Sequence, residues 1–263
     1  MNLSQLHKPI IATLHLLPLP GSYSYKNQGI EYILERAMND VQTLSRGGVD
    51  AIILQNNGDG ATSTDGHIET VAYLTMIATH IKREFQLPLG INILFNGTEN
   101  AISVAHAVGA SFVRIKVLIG AVVSISGVIQ GSACRAQEFI RKIGASNLQI
   151  IGDVYDRSSS PLGGLPIEEA ALQVVKHGKA DGIIVAGLSM EDSLNRLRRV
   201  KLLVKDKPVY VGGGTNSENI ETFLSISDGA IVGKSIKSGD DFSGLISIDR
   251  LKLYMDIVDR IRR

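Results

Sequence analysis

The sequence predicts an α/β fold closed into a single (β/α)8 barrel of the TIM type, and three observations carry that prediction. Eight short apolar runs alternate with eight amphipathic helical segments along the 263 residues, which is the pattern of a parallel sheet wrapped by helices. Most runs are apolar at successive positions, as strands buried between a core and a helical layer must be. Near the end of the chain two of them close on glycine: residues 208–215 read PVYVGGGT and residues 228–234 read DGAIVGK. In (β/α)8 barrels the phosphate sites lie after strands seven and eight.

The elements follow in order. The opening run supplies a first strand at 9–14; its histidine and following prolines make it too short and too broken to span a membrane. A helix over 29–46 has Ile33, Ala37, Val41 and Leu44 on one face. The same alternation continues through strand 49–54, helix 68–84, strand 89–94, helix 98–108, strand 112–116, helix 133–143, strand 148–154 and helix 167–177. It ends with strand 182–185, helix 190–204, strand 209–211, helix 217–224, strand 230–232 and helix 249–262. No linker or low-complexity segment divides the chain, so residues 1–263 are read as one domain. Irregular stretches at 16–28, 56–67, 117–132 and 156–166 all follow strand ends, which in a barrel places them on the catalytic face.

Composition narrows the function. The 44% apolar content suffices for a large core, and a formal net charge of +1 supplies no field for nucleic acid or an acidic membrane. Tryptophan is absent and aromatics are sparse, which disfavours base stacking. The single cysteine, Cys134, excludes an internal disulfide, fits a reducing cytoplasm and is expected as a packed small hydrophobe. No secretory signal precedes the first strand, so a cytoplasmic protein beginning near Met1 is expected.

The phosphate assignment rests on chemistry at the two glycine turns. Gly212, Gly213 and Gly214 let the backbone approach an anion, Thr215 opens an expected helix, and Gly233 with Lys234 repeats the pattern one strand later. The bland alternative is a tight strand-to-helix turn. Polar residues at the other strand ends supply candidates for the reacting end: His15; Gln55 and Asn56; Asn92; Arg114 and Lys116, two apart and so on one face; Asp153, with Asp156 and Arg157 beyond. Charges inside a strand are costly unless paired, so Arg114, Lys116 and Asp153 are expected to cluster at the mouth, either as a structural ion pair or as working groups. In the working version Arg114 clamps an anion, Lys116 is a base or electrostatic stabiliser, Asp153 is a general acid/base or metal ligand, and His15 is a general base. No HExxH, His-x-His or cysteine pair is present, and no metal site or cofactor is required; magnesium held by Asp153 through a substrate phosphate is the one metal arrangement considered.

Taken together, KPIIATLHLLPLPGS, GGVDAIILQNNGDG, PLGINILFN, SFVRIKV with GVIQGSA, and VGGGTNSENI with DGAIVGKSIK resemble the BtpA/SgcQ family over nearly the whole chain. The resemblance implies a TIM-type barrel related to the ribulose-phosphate-binding barrels. It also brings the name photosystem I biogenesis protein, and a homo-oligomer as an expectation. His15, Gly21, Asn56, Asp59, Asn92, Arg114, Asp153, Gly213, Gly214 and Asn219 match the family pattern. Two departures stand out: many members have Glu where this chain has Gln55, and an Asp-x-x-Val-Lys-His run where this chain continues from Asp153 to Asp156 and Arg157.

The expected activity is therefore aldolase, isomerase or lyase chemistry on a small phosphorylated metabolite, a sugar phosphate or a nucleotide-like compound, with proton transfer beside a stabilised oxyanion. The alternative is a noncatalytic metabolite-binding or assembly factor. Redox chemistry has less support because the dinucleotide fingerprint is missing.

Overall fold

In a computed structural model, residues 3, 6–60, 64–239 and 241–263 are described. Met1 and residues 61–63 of the second loop lie outside them. The strands are β1 (Ile10–His15), β2 (Ala51–Gln55), β3 (Leu89–Asn92), β4 (Phe112–Ile115), β5 (Ala121–Ser124), β6 (Gly127–Gln130), β7 (Gln149–Val154), β8 (Ser160–Pro161), β9 (Gly182–Val185), β10 (Val209–Gly212) and β11 (Gly229–Val232). The helices are α1 (Ile30–Arg46), α2 (Ile68–Glu84), α3 (Thr98–Val108), α4 (Ala133–Ile143), α5 (Ile167–Lys176), α6 (Met190–Leu203), α7 (Ile220–Leu224) and α8 (Ile248–Arg262).

Eight parallel strands close in the order β1-β2-β3-β4-β7-β9-β10-β11, with β11 pairing back onto β1. Alternation along each strand then creates two cores. Ile10, Ala12 and Leu14 of β1 face outward and pack with Ile33, Ala37, Val41 and Leu44 of α1. Ile11, Ile53, Phe112, Ile151, Ile184, Tyr210 and Ile231 face inward and fill the barrel, with Leu3 among them. Phe112 fits because its neighbour in register is Gly90, where a Cβ would stand 2.2 Å from the Phe112 ring. The inner apolar layers leave the next inward positions, nearer the carboxyl ends of the strands, as the mouth.

Aspartates stitch the opposite end. Asp50, Asp181 and Asp228 each immediately precede a strand and accept a backbone N–H from the neighbouring strand, from Ile10 at 2.7 Å, Ile150 at 2.9 Å and Val209 at 2.8 Å. Each satisfies a buried donor where the ladder begins.

Two parts differ from the sequence expectation. The stretches 117–132 and 156–166 are not wholly irregular: β5 and β6 form an antiparallel hairpin, and β8 adds to its edge, making a small sheet above the mouth. The helix expected over 217–224 is only α7. Asn216 Oδ1 accepts the N–H groups of Glu218 and Asn219, so a side-chain turn uses the amides that would have begun the helix. The VGGGT segment therefore opens onto a turn, not onto a helix N-terminus, and the helix-dipole contribution expected at Thr215 is absent. Cys134 also departs from expectation: it is exposed, with Sγ directed at Glu138 of the same helix.

Candidate functional site

The inward positions beyond Phe112 and Ile151 are Arg114 and Asp153, so both side chains enter the mouth. They meet there as a two-pronged pair, Nε to Oδ1 at 2.9 Å and Nη2 to Oδ2 at 2.7 Å. Burial pushes the Asp153 carboxyl up against the lowering pull of Arg114. For Arg114, burial favours the neutral form, but the Asp153 charge and its hydrogen bonds outweigh it and hold the guanidinium above its ordinary pKa.

After β7 the chain takes a left-handed turn at Tyr155, φ 59°, and brings Asp156 back over the mouth. Lys116 Nζ lies 3.1 Å from Asp156 Oδ1, 3.0 Å from Ser158 Oγ and 4.2 Å from the centre of the Phe95 ring. Arg114 Nη2 lies 3.7 Å from Asp156 Oδ2. Burial opposes ionisation of Asp156, but Lys116, Arg114 and hydrogen bonds from Ser158 together lower its pKa to about 2. Asp156 is a carboxylate at neutral pH.

Across the mouth, β1, β2 and β3 set His15, Gln55 and Asn92 side by side in register. Burial lowers the His15 pKa to about 3, with Lys237 and Arg114 adding to the shift, so the ring is neutral near pH 7. A proton acceptor of that strength is weak at neutral pH, which makes His15 a hydrogen-bonding group more than the general base expected from its place in the sequence. Its ring meets Phe242 edge-on at 5.0 Å.

The glycine turns form the remaining wall of a cavity of about 680 Å³ that includes His15, Gln55, Arg114, Lys116 and Asp156. Gly213 and Gly214 both have positive φ, 73° and 76°, conformations that side-chain-bearing residues rarely adopt. A Cβ on either would stand 3.4 or 3.2 Å from Arg157 Nη1. Arg157 and Lys234 both line the cavity, and among the described residues neither makes an ion pair. Asn219 braces the turn by donating to Gly214 O at 2.9 Å and accepting from Asn216 N at 2.8 Å. Thr215 is spent differently from expectation: it is buried, and its hydroxyl donates to Ile231 O at 3.2 Å.

Most residues singled out in the sequence converge on this cavity, including Gly212, Gly213, Gly214, Thr215, Gly233 and Lys234. Three lie behind it. Asp153 has both oxygens engaged by Arg114 and lies behind the cavity, and Asp156 is the carboxylate that lines it. Asn56 is a structural clamp, donating to Asp59 at 2.9 Å and accepting Leu94 N at 2.8 Å, while Asn57 lines the cavity instead. Asn92 donates to Arg114 O at 3.0 Å beside the cavity wall. Among the described residues no group of three or more His, Cys, Asp and Glu side chains is arranged to hold a metal ion.

Sequence reasoning missed Phe242 and Ser158. Phe242 stands alone among Gly, Ser and Asp in the segment after the eighth barrel strand, and an aromatic at such a strand-end loop was the available signal. Lys237 anchors that segment: it is fully buried, its Nζ donates to Phe242 O at 2.5 Å, and burial lowers its pKa to about 8.

Comparison with known proteins agrees with the fold. A solved structure of 3-hexulose-6-phosphate synthase from Salmonella typhimurium superposes with a TM-score of 0.62, covering 96% of this chain and 99% of that one at 13% identity, a likeness of fold. An uncharacterised protein of Methanocaldococcus jannaschii is 35% identical over 257 residues, 97% of each chain. The photosystem I biogenesis protein BtpA of Synechocystis is 31% identical over 256 residues, 96% of this chain and 88% of that protein. No helix among the described residues is long and apolar enough to cross a membrane. The sequence matches the BtpA family over residues 6–260, and the chain belongs to that family.

Proposed function

We propose that this barrel is a cytoplasmic enzyme that takes a small phosphorylated metabolite and carries out aldolase-, isomerase- or lyase-type proton transfer on it. The observation that carries the reading is the pairing of two glycine turns, on adjacent strands β10 and β11, with Arg157 and Lys234 on the same cavity, neither in an ion pair among the described residues. Backbone N–H groups of Gly213, Gly214, Gly233 and Lys234 would receive the phosphate oxygens, and the two cations would balance its charge. At the reacting end Lys116 stabilises negative charge that develops on a carbonyl oxygen, and ionised Asp156 holds the Lys116 ammonium in place for that role. Arg114 is held by Asp153 and supports this pair electrostatically.

The solved 3-hexulose-6-phosphate synthase structure supports the reading by fold alone. The name of the Synechocystis relative favours a second one, in which the same cavity senses a metabolite and the protein acts in assembly. A panel of phosphorylated sugars and nucleotides, screened by thermal shift and then for turnover, tests both. The enzyme reading expects a ligand that raises Tm, an Arg157→Ala variant that binds it roughly tenfold more weakly, and an Asp156→Asn variant that folds and binds but does not turn it over. Stabilisation without turnover across the panel supports the sensing reading, and no stabilisation by any phosphate ester sinks both.

A further inference from the structure

The cavity is chemically lopsided. At the glycine turns Arg157 and Lys234 have no carboxylate partner among the described residues. At β4, both described cations that line the cavity are already matched: Arg114 is held at two points by Asp153, and Lys116 by Asp156. A ligand carboxylate entering there would meet Asp156, with Arg114 and Lys116 already engaged. Burying a charge without a partner is strongly unfavourable.

A row of unsatisfied polar atoms runs along β1, β2 and β3, from beside the Gly233 turn round to Arg114. His15 Nδ1, Gln55 Oε1 and Asn92 Oδ1 are buried and have no hydrogen-bond partner among the described residues. They come from strands that are adjacent in the barrel, with His15 opposite Gln55 and Gln55 opposite Asn92. Buried polar atoms without partners are uncommon in folded proteins, and each is destabilising. Gln55 is only 6% exposed and Asn92 1% exposed. The Asn92 amide cannot be reversed, because its Nδ2 faces the Arg114 carbonyl oxygen, which only accepts. Gln55 Nε2 donates to Asn57 Oδ1 at 3.3 Å, and its Oε1 faces the cavity. Gln55 and His15 line the cavity itself; Asn92 extends the row behind them. Amide oxygens accept hydrogen bonds and repel anions, so this wall recognises groups that donate.

Resting on the phosphate reading above, we infer that the β1–β2 wall of the cavity reads uncharged hydroxyl donors through Gln55 and His15, so that the ligand is a phosphorylated neutral sugar or polyol and not a phosphorylated sugar acid. Neutral His15 fits this role, since an imidazolium would favour the acid.

The matched probes are inorganic phosphate, sorbitol 6-phosphate and 6-phosphogluconate, titrated calorimetrically into the full chain; the last two differ at the terminal carbon, a hydroxymethyl group against a carboxylate. Expected are saturable binding of inorganic phosphate, tighter binding of sorbitol 6-phosphate, and at least roughly tenfold discrimination against the acid. Gln55→Met removes the acceptor while keeping the volume. It should fold with unchanged or raised Tm, bind inorganic phosphate as before, and lose most of the gain that sorbitol 6-phosphate has over phosphate. Equal or tighter binding of 6-phosphogluconate overturns the inference, as does a polyol ester that binds no better than phosphate or a Gln55→Met variant that leaves its affinity intact. In those cases the phosphate reading stands. Failure of inorganic phosphate and of both esters to bind removes the phosphate reading itself, and this inference with it.

Discussion

His15 carries a proton poorly because folding encloses its ring in the mouth beside Arg114 and Lys237. The unfolded chain, with an ordinary imidazole near 6.5, binds that proton readily, whereas the folded chain binds it only near pH 3. Between those values the unfolded state holds more protons, so stability rises with pH across the window and is lost on acidification. Each pH unit inside it contributes up to about 1.4 kcal/mol. Urea unfolding from pH 6.5 to 4.5 should therefore show a steeper acid loss for the wild type than for His15→Gln, whose side chain does not titrate. Parallel curves would mean that the imidazole is protonated in the folded state. Asp156 does not disturb the comparison, since its low pKa places its own contribution below that range. Alternation along a strand was enough to aim Arg114 and Asp153 into the barrel. It said nothing of their mutual distance, and so could not tell that they bind each other, or that Asp156 reaches the cavity only because Tyr155 turns left-handed.

The barrel elements were legible because each strand and helix carries its own apolar periodicity. The small sheet of β5, β6 and β8 was not: its strands are four, four and two residues long, and one pairs across a gap of dozens of residues. Such pairing is fixed by tertiary contacts that no local pattern records. What positions the hairpin is a buried polar clamp at its base. Asn96 donates to Val117 O and accepts from Val117 N, each at 2.9 Å, and Ser132 Oγ reaches the same carbonyl at 3.2 Å while bonding Thr98 Oγ1 at 2.7 Å. Asn96→Ala would leave the Val117 N–H buried without its partner. A loss of about 1–3 kcal/mol in urea unfolding is expected, with faster amide exchange in β5 and β6 than in the barrel strands. Exchange that accelerates equally in all strands would show that the hairpin and barrel open as one unit.

At the scale of the molecule, the barrel separates stability from chemistry by end. The mouth gathers polar groups that are matched to one another or left open to the cavity, whereas the opposite end uses Asp50, Asp181 and Asp228 to tie neighbouring strands. Asp50 has the widest reach. Its Oδ2 accepts Ile10 N of β1 at 2.7 Å and Arg262 Nη2 of α8 at 2.5 Å, and Arg262 also donates to Lys8 O at 2.9 Å, so one carboxylate joins the first strand, the second strand and the last helix. The three aspartates were visible in the sequence as VDA, ADG and SDG before strands, but only the closed sheet shows which amide each one takes. Replacing Asp50 with alanine strips an acceptor from a backbone amide and from a guanidinium together. A stability loss of about 2–3 kcal/mol is expected from those two groups, read by urea unfolding at neutral pH. Because Asp50 lies at the far end of β2 from Gln55, the phosphate titration of the folded variant should superimpose on that of the wild type. A variant that unfolds more easily yet binds phosphate equally well is the signature of this division, and a parallel fall in phosphate affinity would show that the two ends of the barrel are coupled through the strands.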